Sequence, residues 1–93
     1  MNYTPHTYTK HCQQRWAERF PDLDLETEFN RSGRCGRGSK KRIRPHLSER
    51  TAALMADTNT RYLRLNRHHN IVFVVSSISQ AVITCYALPE RLE

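Results

Sequence analysis

The sequence lacks long hydrophobic runs: its longest, IVFVV at 71–75, is far shorter than the ~20 residues that a membrane-spanning helix needs. The opening stretch MNYTPHTYTK also lacks the apolar core of a secretory signal peptide. Both absences predict a soluble, cytoplasmic protein without a membrane partner.

Cysteine is scarce and widely spaced. Cys12, Cys35 and Cys85 are odd in number, which favours reduced thiols over a disulfide framework. Five histidines accompany them, yet the chain contains no Cys-x-x-Cys or His-x-x-x-His pair of the kind that holds zinc. The sequence therefore predicts neither a bound metal nor a cofactor.

Acidic residues are missing from one segment, and all three glycines fall within it. Residues 31–44 carry seven of the basic residues of a chain whose net charge is +6. Such a segment is typical of a flexible loop that binds phosphates or an acidic protein surface. The predicted binding residues in this loop, taken as 31–45, are Arg31, Arg34, Arg37, Lys40, Lys41, Arg42 and Arg44.

The chain of 93 residues predicts a single domain over 1–93 with a flexible N-terminus over 1–8. Thr9 is a good N-cap for a helix that ends near Phe20. Asp22 can cap a second, short helix that Gly33 ends, and the residues around 46–56 predict a third helix.

The last third has the pattern of β-strands. Segments 61–67, 70–76 and 81–88 are alternating or rich in β-branched residues, and short connections separate them. Alternation in the last segment places Val82, Thr84 and Tyr86 on one side. The predicted class is α+β, with N-terminal helices packed on a C-terminal three- to four-stranded antiparallel sheet.

A set of polar side chains has the chemistry that metal-independent RNA cleavage requires. Histidine can transfer protons near neutral pH, and arginine matches phosphate oxygens in pairs. The candidate catalytic residues are His11, Arg15, Arg64, Thr84 and Tyr86. Each also has a structural interpretation, since His11 and Arg15 fit a solvated helix surface, Arg64 fits an edge strand, and Thr84 and Tyr86 are strong strand formers.

The pattern T-x-H-x-x-x-R (Thr9, His11, Arg15) near the start and V-I-T-C-Y (82–86) near the end resembles a known superfamily. It is similar to small ribonucleases of the barnase, EndoU, colicin and RelE group, and above all to short toxin-like members. The resemblance implies helices on a curved antiparallel sheet and RNA cleavage without a metal. It implies that His11 is an acid or base, that Arg15 binds phosphate, and that Thr84 and Tyr86 line the same cleft.

Two functions follow as expectations. The first is an RNA-binding, metal-independent endoribonuclease of toxin-like type. The alternative is a non-enzymatic basic binder, such as a phage or mobile-element inhibitor, that grips nucleic acid or an acidic protein, either an antitoxin or a host target. A third option is an antitoxin or a transcriptional regulator, although no helix-turn-helix is evident.

Overall fold

A computed structural model describes residues 6–36 and 60–88, together with Gly38, Ile43 and Pro45. These residues form an α+β domain with its helices N-terminal to the main strands, as the sequence predicts. The elements in chain order are β1 (Thr7–Tyr8), α1 (Lys10–Arg19), α2 (Leu25–Asn30), β2 (Gly33–Arg34), β3 (Arg61–Asn66), β4 (Ile71–Ser76) and β5 (Ala81–Ala87). The predicted helix at 46–56 lies outside the described residues.

The sheet has five strands in the order β1-β5-β4-β3-β2. The predicted antiparallel meander of β3, β4 and β5 is confirmed. Two short edge strands correct the expected three- to four-stranded antiparallel sheet: β2 is antiparallel to β3, but β1 is parallel to β5, so the sheet is mixed. Thr7 and Tyr8, which the sequence placed in a flexible N-terminus, form β1 because they pair with Ala81 and Val82.

Helix α1 begins where its sequence predicts. The Thr9 side chain accepts a hydrogen bond from the Cys12 amide at 3.0 Å, which satisfies one of the amides that a helix start leaves unpaired. Cys12 and Trp16 lie one turn apart on the buried side of the helix. This side packs against β5.

Helix α2 is shorter than predicted. Asp24, not Asp22, is its N-cap, because the Asp24 carboxylate accepts hydrogen bonds from both the amide and the hydroxyl of Thr27. These bonds lower the pKa of this carboxyl group. The helix ends at a cap residue, Arg31, whereas Gly33 already belongs to β2.

Two apolar clusters cover the two faces of the sheet. The helix-bearing face carries Cys12 and Trp16 of α1, Phe29 of α2, and Phe73 and Cys85 of the sheet. The opposite face is lined by Cys35, Ile43, Leu63, Leu65, Val72, Val74 and Leu88. In the described part of the chain, no helix is both long and apolar enough to cross a membrane.

A register shift in β5 changes which side chains share a face. Val74 pairs with Thr84, but the next residue, Val75, pairs with Val82, so β5 holds one extra residue here. Val82 consequently joins Cys85 in the cluster beneath the helices. The prediction that Val82 shares a face with Thr84 and Tyr86 is wrong, because simple alternation does not survive a bulge.

Candidate nucleic-acid interface

Three side chains form a row along α1. His11, Arg15 and Arg19 follow one another at four-residue intervals, and all three are exposed. Residues four apart lie one turn above each other, so the row advances about 6 Å at each step. Arg15 Nη1 contacts Glu18 Oε2 at 3.1 Å, with the two side chains 44% and 51% exposed. A pair this exposed contributes only about 0–1 kcal/mol, which leaves the Arg15 charge accessible to a phosphate.

The row ends against β5. Arg19 Nη1 donates to the Cys85 carbonyl at 2.7 Å, and the Arg19 guanidinium carbon lies 5.6 Å from the centroid of the Tyr86 ring. At the other end of α1, Thr9 Oγ1 donates to the Ile83 carbonyl at 2.9 Å. Helix α1 is therefore tied to β5 at both ends. Arg19 was missing from the predicted catalytic set, although its spacing from Arg15 was a sufficient signal.

The two predicted residues of β5 differ in accessibility. Tyr86 is half-buried and lies next to Arg19, whereas Thr84 is only 3% exposed. Thr84 pairs with Val74, whose side chain belongs to the apolar cluster on the face away from the helices. Thr84 therefore packs inside the domain and does not line an open cleft with Tyr86.

Arg64 lies on the other face of the sheet from Thr84 and Tyr86. Its Nε donates to Ser32 Oγ at 2.8 Å, and its Nη2 donates to the carbonyls of Phe29 and Ser32. The guanidinium carbon is 4.4 Å from the centroid of the Phe29 ring. A cation that binds the last carbonyls of a helix stabilises that helix end. The predicted five-residue set is thus divided. His11 and Arg15 lie on the exposed side of α1, and Arg64 stabilises α2. Thr84 is buried, and Tyr86 packs against the apolar cluster on the face away from the helices and is in contact with the α1 row only through Arg19.

We expect Arg64→Ala to lower the free energy of unfolding by about 2 kcal/mol, because it removes charge-assisted hydrogen bonds to three acceptors. Urea denaturation measures the change. Arg61→Ala, at the start of the same strand, is the matched control, for which a smaller loss is expected. Equal stability of the Arg64 and Arg61 variants would show that the cap contributes nothing.

The predicted basic loop is only partly described. Arg31 is the C-cap of α2, and Arg34 lies in β2, with its guanidinium carbon 4.5 Å from the centroid of the Tyr62 ring. The segment therefore starts as a helix end and an edge strand, which corrects the predicted loop from residue 31 onward. Arg37, Lys40, Lys41, Arg42 and Arg44 lie outside the described residues.

A pocket of about 310 Å³ opens beside β2. Its lining includes Arg31 and Arg34 from the predicted basic segment, and Arg67 and His68 from the turn between β3 and β4. No carboxylate is among the described residues that line it. Arg67 and His68 were not among the predicted binding residues, because only the pairing of β2 with β3 brings this turn to the basic segment.

A buried polar network holds that turn against α2. Asn66 Nδ2 donates to both the Glu28 carbonyl and Glu28 Oε2, at 2.9 and 2.8 Å. Asn66 Oδ1 accepts from the amides of His68 and His69. The Glu28 carboxylate also lies 3.8 Å from Arg31 Nη1 and 4.0 Å from His69 Nε2. One asparagine therefore fixes both the helix and the turn that carries Arg67 and His68.

The three cysteines are packing residues of the domain interior. None of the three cysteines forms a disulfide, and all three are buried. A hydrogen bond with Cys85 and burial raise the pKa of the Cys12 thiol, so Cys12 is a neutral packing residue at the contact between α1 and β5. Among the residues that the structure describes, no group of three or more His, Cys, Asp or Glu side chains is placed to hold a metal ion.

Comparison with known proteins adds no relative. No family profile, curated protein or solved structure matches this chain.

Proposed function

We propose that this protein binds single-stranded RNA along the edge formed by α1 and Tyr86. The observation that carries the proposal is the contact of Arg19 with the Tyr86 ring at the end of the exposed row of His11 and Arg15. Arginine guanidiniums bind phosphate oxygens in pairs, and an aromatic ring beside them offers a surface on which an unstacked base can stack. The net charge of +6 favours a polyanion in general.

The dependence of binding on salt tests this proposal. For single strands, log Kd should change with log salt by about 0.7 for each phosphate that a cation neutralises. We therefore expect Arg15→Gln and Arg19→Gln each to weaken binding of a short RNA and to reduce the slope by about 0.7. Fluorescence anisotropy across a salt series measures both quantities.

Two further variants test whether RNA binds at the α1 edge or only responds to the net positive charge of the protein. Arg61→Gln removes the same charge from β3 and should leave the slope unchanged. Glu18→Gln frees Arg15 from its ion pair and should tighten binding a few-fold. Equal weakening by Arg61→Gln and Arg15→Gln would refute the α1 edge. Failure to bind RNA at low salt, with binding to an acidic protein instead, would favour the inhibitor function.

Metal-independent RNA cleavage is a second candidate, favoured by the exposed position of His11 one turn before Arg15. In such a step the ribose 2′-oxygen bonds to phosphorus and the bond to the 5′-oxygen breaks. A proton leaves the 2′-hydroxyl and another is delivered to the 5′-oxygen, so a 2′,3′-cyclic phosphate and a 5′-hydroxyl remain. His11 could serve one of these proton transfers while Arg15 and Arg19 bind the phosphate.

Cleavage and binding are separable in one variant. If His11 transfers a proton, His11→Ala should abolish cyclic-phosphate products formed in the presence of EDTA while RNA affinity changes by less than about threefold. Gel analysis of end-labelled RNA measures the products. Absence of cleavage by the unmodified protein would remove this candidate and leave the binding proposal intact.

A further inference from the structure

The pocket beside β2 lies apart from the α1 edge. One row of cross-strand partners crosses the sheet from Gly33 through Leu65 and Val72 to Tyr86. The pocket lies at the Gly33 end of this row, and Tyr86 lies at the other end. Three strand spacings separate Gly33 from Tyr86, or about 14 Å. Leu65 and Val72 between them are buried, so the two places are separate openings on the surface.

Gly33 is exposed and forms part of the wall of the pocket. A Cβ atom at Gly33 would have no heavy atom of the described residues within 4 Å, and the φ of Gly33 is not positive. Its cross-strand partner Leu65 and the neighbouring Cys35 supply an apolar part of the lining. A larger side chain at position 33 would thus fill the pocket without backbone strain.

The charges of the lining select the ligand. Arg31 and Arg67 contribute two permanent positive charges, and His68 adds an imidazole. Arg31 Nη1 also lies 3.8 Å from the Glu28 carboxylate, and the Arg34 guanidinium lies over the Tyr62 ring on the helix-bearing face. A phosphate monoester carries about −1.5 to −2 charges at pH 7, since its second pKa is about 6, whereas an internal phosphodiester carries one. Two arginines and an imidazole therefore favour a monoester over the internal phosphates of an RNA chain.

The size of the pocket limits what accompanies the phosphate. Small-molecule pockets range from ~300 to 1,000 Å³, and this one, at about 310 Å³, is at the lower end. We infer that it binds a nucleoside 5′-monophosphate group, with the phosphate on the arginines and the sugar or base against Leu65. Such a group belongs either to a free mononucleotide or to the 5′ end of an RNA, and it does not depend on the function proposed for α1.

Titration calorimetry with 5′-AMP tests the inference directly. We expect AMP to bind and adenosine to bind at least tenfold more weakly. Arg31→Gln and Arg67→Gln should each weaken AMP about tenfold, the equivalent of one lost charge-assisted hydrogen bond. Arg61→Gln, which removes the same charge outside the lining, should leave AMP affinity within twofold of that of the unmodified protein.

A steric variant tests the pocket without changing any charge. Gly33→Val should abolish AMP binding, whereas Gly36→Val, at an exposed glycine that also has open space around its Cβ position, should retain it. Circular dichroism checks that both variants are folded. AMP binding that survives Gly33→Val, adenosine binding equal to that of AMP, or no AMP binding at millimolar concentration would each overturn the inference.

Two RNA oligonucleotides that differ only at the 5′ end distinguish an RNA end from a free mononucleotide as the ligand. An RNA with a 5′-phosphate that binds at least tenfold tighter than its 5′-hydroxyl twin, with the difference lost in Gly33→Val, identifies an RNA end as the ligand. Equal binding of the two RNAs, with AMP still bound, identifies a free mononucleotide. Because AMP binding is measured without RNA, its result is independent of the α1 edge.

Discussion

Asn66→Ala is expected to lower the free energy of unfolding by about 3–5 kcal/mol, because it leaves the buried Oε2 and carbonyl oxygen of Glu28 without the amide that donates to them, and removes the acceptor of two turn amides. Asn66 is fully buried, and Glu28 is 3% exposed. The asparagine amide donates twice to Glu28, and its oxygen accepts from the amides of His68 and His69.

Urea denaturation at pH 7 measures this loss, with Asn30→Ala as the control. Asn30 is exposed at the end of α2, so its replacement should change stability by no more than about 0.5 kcal/mol. A loss below about 1 kcal/mol for Asn66→Ala would mean that the network is dispensable.

Asn66→Asp tests the same network by adding a negative charge to it. It keeps the oxygen that accepts from the turn but places a second carboxylate beside Glu28. Mutual repulsion raises the pKa of such carboxyls in the folded protein, so the repulsive penalty is present above that pKa and shrinks as the pH falls through it. The stability of this variant relative to the unmodified protein should therefore improve as the pH falls from 7 to about 4.

The sequence carried most of the information about local structure. Thr9 predicted the start of α1 because a capping side chain acts within three residues. The β-branched segment 71–75 predicted a central strand, and all of its residues are fully buried. Each of these features depends on neighbours in the chain, so a single sequence is enough to read it.

The features that the sequence did not predict depend on contacts between residues far apart in the chain. Strand β1 has two residues and exists only because β5 offers them a parallel partner. The bulge in β5 exists only in relation to the pairing of Val74 and Val75 with β4. Asn66 reads as an ordinary residue near a hairpin, and only the position of α2 makes it the partner of Glu28. None of these features leaves a periodic signal in the chain.

The candidate site was predictable to the same degree. The row of His11, Arg15 and Arg19 follows from helical spacing alone. The faces of Arg64 and Thr84 depend on strand register, so the sequence could not show that the two side chains lie on opposite sides of the sheet. The pocket brings Arg31, Gly33 and Arg34 together with Arg67 and His68, and only the pairing of β2 with β3 makes this possible. The sequence alone therefore could not show a pocket apart from the α1 edge.

Phe73→Ala is expected to cost about 3–5 kcal/mol, the range for loss of a fully buried phenylalanine. Phe73 is 0% exposed. The centroid of its ring lies 5.9 Å from that of Trp16 on α1 and 5.2 Å from that of Phe29 on α2. Both helices therefore rest on this one ring of β4. For a domain of this size such a loss lowers Tm by roughly 15 °C or more.

Two controls separate this cavity effect from a general sensitivity of the aromatic cluster. Phe73→Leu keeps most of the volume and should cost less than half as much as the alanine variant. Phe20→Ala removes a half-buried ring whose centroid is 4.7 Å from that of Trp16, and it should also cost less, since Phe20 lies at the rim. Calorimetry of the three variants ranks them, and a Phe73→Ala loss no larger than that of Phe20→Ala would contradict the central position of Phe73. If the order holds, the RNA binding proposed for the α1 edge should decline in Phe73→Ala with its folded fraction, because the α1 row keeps its place only while Trp16 packs on β4.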